Sequence, residues 1–198
     1  MHAVRRSSLA ALALLAVAGL AACGPAPWDP SSSASPTSTS TSTSVPTPVP
    51  NDLSTGATQR DLTAGAVAAT VDYWSSLSMD RWTADAIKPV SISMTTTVTP
   101  ADGQKVYLQR AQMLAVPGTG DATLAALEPQ TDTATVAPGY LVLSPYSYSQ
   151  TFNVGPVPAE ATHVTLQFTY DFLVQTTPTS TEYAKQTVSD TLTVALSG

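Results

Sequence analysis

Few side chains in this chain are of a type that does chemistry. Cys23 is its one cysteine, so no internal disulfide can form, and a lone thiol on an exported chain implies an intermolecular bridge, a reactive group or a covalent attachment. His163 is the one histidine apart from His2. A zinc site would have to combine that single imidazole with carboxylates, far from the usual nitrogen and sulfur ligand sets. No nucleophile-elbow pattern supports a Ser-His-Asp site, so His163 reads as an exposed residue at a strand end. The acids Asp72, Asp80, Asp85, Asp102, Asp121, Asp132, Asp171 and Asp190 are scattered. They show no Asp-x-Asp-x-Asp-Gly calcium run and read as solubility and turn residues. Met79, Met94 and Met113 are too dispersed for a copper-binding cluster. Tyr146 and Tyr148, following Pro145, would share one face of an extended segment, where paired rings could stack on sugars or pack in the core. Trp74 and Trp82 read as core or rim residues. This inventory calls for no catalytic set, no metal and no cofactor, and points to a non-enzymatic chain.

The surroundings of Cys23 decide between the fates of its thiol. Arg5 and Arg6 form a positive start, and Leu9 to Leu20 is an uncharged run of Leu, Ala, Val and Gly. At about 12 residues that run is too short to span a bilayer and suits a signal-peptide core. It closes on Leu20-Ala21-Ala22-Cys23-Gly24, which resembles the lipobox of bacterial lipoproteins. The resemblance implies that residues 1–22 are a removed signal peptide, that the Cys23 thiol is joined to diacylglycerol, and that the freed amine can be acylated. Two or three acyl chains, at about 0.8 kcal/mol per buried methylene, exceed the marginal binding of one chain alone. Gly24 is not the Asp that resembles an inner-membrane retention signal. The Ala-rich leader and Ser/Thr linker look like lipoproteins of high-GC Gram-positive bacteria, which implies the outer face of the cell membrane.

Behind the anchor, Pro30 to Pro50 is almost wholly Ser, Thr and Pro. Such a stretch buries too little to offset its ordering entropy, so 23–50 is expected to be a disordered tether. Its reach is roughly 30 Å as a coil and about 80 Å if stiffened. Ser/Thr runs with Pro also resemble O-glycosylated stalks. The formal charge is −6, and removal of Arg5 and Arg6 makes the mature chain more negative still. Its remaining cations are scattered from Arg60 to Lys185, which argues against nucleic acid as a partner.

The elements that must position any site lie in 51–198. Charged residues are only 11% of the chain, and Thr and Val carry the pattern, as in half-buried strands. Val90, Ile92, Met94, Thr96 and Val98 alternate with Ser and Thr. Asp102-Gly103 then signals a hairpin to a strand over Lys105 to Val116. His163 to Gln175 is the cleanest strand, with Val164, Leu166, Phe168, Tyr170, Phe172 and Val174 on one face. A turn at Pro178-Thr179-Ser180 returns the chain through Thr181 to Leu196, antiparallel to it. Gly65 to Trp74, Tyr140 to Leu143 and Thr151 to Val154 supply further strands, and Leu124 to Leu127 has room for a single helical turn. Asp190 falls in phase with Val188 and Leu192, so either a bulge turns it outward or Lys185 or Arg110 pairs with it, and the bulge is expected.

About seven strands separated by Pro- and Gly-containing turns predict an all-β, antiparallel, immunoglobulin-like sandwich. The functional expectation is a monomeric, membrane-anchored binding domain for an unknown envelope protein or wall polymer, acting through its loops or an edge strand. The alternative is a carbohydrate-binding or carbohydrate-processing domain using Tyr146 and Tyr148.

Overall fold

A computed structural model describes residues 48–198; the leader, Cys23 and the tether as far as residue 47 lie outside them. The chain builds two antiparallel sheets. One has the order β1 (Ala57–Ala64), β2 (Val67–Trp74), β3 (Lys88–Val98), β8 (Tyr148–Val154). In the other, β10 (Tyr183–Ala195) pairs with β9 (His163–Gln175), and β9 with β4 (Val106–Thr119). The short strands β5 (Ala122–Thr123), β6 (Gln130–Thr133) and β7 (Tyr140–Leu141) all pair with β4. The seven long strands thus give the four-and-three arrangement of an immunoglobulin-like sandwich.

Period-2 alternation is what closes the two sheets on each other. On β9, Val164, Leu166, Phe168, Tyr170, Phe172 and Val174 are all buried, and they meet Val67, Ala69, Val71 and Tyr73 of β2 and Val90, Ile92 and Met94 of β3 in one core. Phe168 lies at its centre. Its ring is 5.0 Å from that of Tyr73 and 6.1 Å from that of Phe152, both on the opposite sheet. Tyr170 donates across the same interface to the Tyr73 hydroxyl at 3.2 Å, which satisfies a polar group inside the core. Trp82, fully buried, donates its indole N–H to Ser75 Oγ at 3.2 Å. Leu53 is buried from the start of the domain.

Three expectations are corrected. Asp102-Gly103 does not join a hairpin, because β3 and β4 belong to different sheets. The glycine does take a positive φ of 97°. The loop is held by the buried Gln104, which accepts from Asp102 N and donates to Pro100 O. A turn signal fixes local backbone geometry, not the sheet that the next strand joins. Leu124 to Leu127 makes no helical turn; Leu127 N bonds Ala115 O instead, and the short 3-10 turn is at Met79–Arg81.

Asp190 is the third correction. β10 and β9 stay in unbroken register from Tyr183↔Gln175 to Ala195↔His163, with Asp190 opposite Phe168. No bulge turns the carboxylate out, and neither Lys185 nor Arg110 pairs with it: both ion-pair with Asp171. Asp190 Oδ1 accepts from Thr191 N, while Oδ2 is buried without a partner. Burial, joined by the neighbouring tyrosine and by Asp190, pushes the Tyr73 hydroxyl well above its ordinary range.

Side chains cap single points on two of the edge strands. Gln130 spans Asn153 on β8 as a strand would, accepting from its N–H and donating to its carbonyl. At the β10 margin, Asp52 Oδ2 accepts from Thr193 N, Asp52 N donates to Thr193 O, and Gln186 accepts from Ala66 N. Backbone groups tied up in this way do not template another chain.

Candidate functional site

A single bulge builds a charged cluster on the outer face of the domain. Along β4, Val106 and Leu108 point into the core, and strict alternation would send Arg110 after them. The ladder to β9 slips between Leu108 and Arg110: Leu108 pairs with Phe172, yet Arg110 pairs with Asp171. One extra residue, Gln109, restores the core phase at Ala111 and Met113 and throws Arg110 onto the outer face. Gly139 lets the neighbouring strand approach this bulge, since a Cβ there would collide with the Leu108 carbonyl.

On that outer face sits Asp171, only 2% exposed. Its Oδ2 takes Arg110 Nε at 2.9 Å and Lys185 Nζ at 3.1 Å, and its Oδ1 accepts from the Thr187 hydroxyl at 2.6 Å. Thr187 lies directly opposite Asp171 in the β9–β10 ladder, so β9 supplies the carboxylate, β4 one of its partners and β10 the other two. Burial by itself would raise the Asp171 carboxyl; the Thr187 hydroxyl, Lys185 and Arg110 outweigh it and hold the group below the ordinary aspartate value. The carboxylate therefore stays charged at neutral pH and orients two cations.

Those cations border a basin of about 730 Å³ on the outer face of the sheet. Its far wall is the segment Thr133 to Pro138, which leads out of β6, and Leu173 and Tyr183 line it with Gln109 and Asp171. Val136 on that wall is 74% exposed, an apolar side chain held in solvent beside a charged cluster. The Tyr183 ring stands edge-on to Tyr107 at 5.9 Å.

The tyrosines singled out from the sequence are placed apart. Tyr148 is buried, stacks on Tyr140 at 5.4 Å and donates to Asp132 Oδ2 at 2.6 Å, which ties β8 of one sheet to β6 of the other. Burial and this acceptor push its hydroxyl well above the ordinary range. Tyr146 is exposed on a turn in which its N–H bonds Leu143 O. His163 begins β9, half-buried, with Nδ1 3.2 Å from Thr162 Oγ1. Among the described residues no group of three or more His, Cys, Asp or Glu side chains is arranged to hold a metal.

Two features were missed from the sequence. One is the Asp171 cluster, whose signal was an aspartate set between Tyr170 and Phe172 in the strongest strand. The other is Lys88, fully buried and in phase with Val90 and Ile92. Its ammonium donates to the carbonyls of Thr83 at 3.0 Å and Ala86 at 2.6 Å, with Ala84 O at 3.5 Å. Burial lowers its pKa, against the opposing charge of Asp85. This lysine holds the loop that closes one end of the sandwich.

No family model and no curated protein matches the chain.

Proposed function

We propose that the chain is a lipoprotein anchored through Cys23 at the outer face of the cell membrane, and that its sandwich is a non-enzymatic binding module. The module meets a wall polymer through the outer face of the β10-β9-β4 sheet. Support for the anchor comes from Leu20-Ala21-Ala22-Cys23 and the Ser/Thr/Pro tether behind it. The observation that carries the binding site is the basin beside Asp171, where a buried carboxylate positions two partly exposed cations under an exposed apolar wall. A preorganised set of polar groups in a concave surface is the usual form of a ligand site.

Two experiments test the proposal. Cys23→Ser should release the protein from the membrane fraction or leave an uncut precursor; tight membrane retention with normal processing would contradict the anchor. Residues 24–198, purified, should sediment with the insoluble envelope fraction, and Val136→Asp should reduce that sedimentation. Undiminished sedimentation of the variant would move the binding site elsewhere.

A further inference from the structure

The charges in the basin specify its ligand more narrowly. Arg110 commits only Nε to Asp171 and its side chain remains 39% exposed, which leaves its terminal guanidinium nitrogens for a further acceptor. Lys185 is 54% exposed and turns one corner of its ammonium to the same Asp171 oxygen. Two cations on one carboxylate leave one positive charge, on a chain whose overall balance is −6. The matching group is a single anionic oxyacid. The planar edge of a guanidinium pairs best with a planar two-oxygen acceptor, a carboxylate.

Beside the cations lie Tyr183 and Leu173, and across the basin Thr133 and Thr135. A sugar ring presents C–H bonds to an aromatic face and hydroxyls to threonine, and a uronic acid adds a carboxylate at its rim. We infer that the basin binds a carboxylated sugar, a uronic acid unit of a wall polysaccharide. In this arrangement the carboxylate sits on Arg110 and Lys185 and the ring lies against Tyr183. Asp171 is a positioning residue: it touches no ligand and fixes the two groups that do. The inference rests on the binding-module reading given above and narrows its ligand.

The test is an NMR titration of isotope-labelled residues 24–198 with methyl glucuronide, methyl glucoside and glycerol phosphate in low salt. Methyl glucuronide should shift the Arg110 Nε–H, Leu173 and Tyr183 resonances. Lys185→Gln should weaken its binding at least about tenfold, the usual loss for a charge-assisted hydrogen bond. Arg110→Lys, which keeps the charge and loses the fork, should weaken it as well, and both variants should keep the wild-type pattern of core resonances. Equal binding of the neutral glucoside would overturn the role of the cations, and tighter binding of glycerol phosphate would overturn the carboxylate. No shift with glucuronide would overturn the inference as a whole. If wild type then still sediments with the envelope and Val136→Asp does not, the binding module stands with another ligand; if neither behaves so, both readings fall.

Discussion

Asp171→Asn is the sharpest perturbation of the outer-face cluster, because it removes one charge and almost no volume. Asparagine keeps an acceptor for Thr187 but surrenders the attraction for Arg110 and Lys185. Breaking a fully buried ion pair costs about 3–5 kcal/mol, and an exposed pair contributes about 0–1 kcal/mol. Here the carboxylate is buried while its partners are 39% and 54% exposed, so both cations can rehydrate. The loss should fall between those limits, at about 2–3 kcal/mol, or about 4–12 °C in Tm for a domain of this size. The pH dependence has a definite sign. The folded carboxyl is held below its unfolded value, so its contribution is complete well above the unfolded value of about 4 and is lost as pH falls through the depressed folded value. Urea unfolding followed by tryptophan fluorescence should show a clear gap between wild type and Asp171→Asn at neutral pH, closing as acid takes the pH below the ordinary aspartate value and through the depressed folded one. Equal midpoints at neutral pH, or a gap that does not narrow in acid, would refute the cluster as described.

Two further substitutions probe the core and the closed end of the sandwich. Phe168→Ala should cost about 3–5 kcal/mol, through lost burial and the cavity left against Tyr73 and Phe152. Thr169→Ala, whose hydroxyl lies outside the core 3.3 Å from Ser189 Oγ, should cost under about 0.5 kcal/mol; denaturant midpoints compare the two directly. Lys88→Met should cost about 1–3 kcal/mol by leaving the Thr83 and Ala86 carbonyls without their donor. It should also speed proteolysis within residues 83–87, and unchanged cleavage there would contradict the role given to the ammonium.

Alternation made the inner faces legible. His163 to Gln175 was bounded to the residue because six apolar side chains at period 2 can bury only one way. β1 was not legible: Leu62 and Ala64 are its only inward apolar residues, and a strand half covered by its neighbours carries a weak pattern. The Asp102-Gly103 turn was legible as a turn but not as a crossing between sheets. The candidate site was hidden for a related reason. Arg110 and Asp171 stand 61 residues apart, and their meeting depends on a one-residue slip at Gln109 with no compositional mark. Alternation located a bulge in the wrong strand, at Asp190, because an inward carboxylate is costly; the protein instead keeps that residue inward beside the Tyr73 and Tyr170 hydroxyls.

The central claim is that the basin beside Asp171 is where the domain meets its partner, and amide hydrogen exchange on residues 24–198 tests it most directly. In the presence of soluble wall polysaccharide, protection should rise at residues 107–110, 133–138 and 183–187, with the outer face of the β1-β2-β3-β8 sheet unchanged. Protection confined to that other sheet, or to the loops at the ends of the sandwich, would contradict the account.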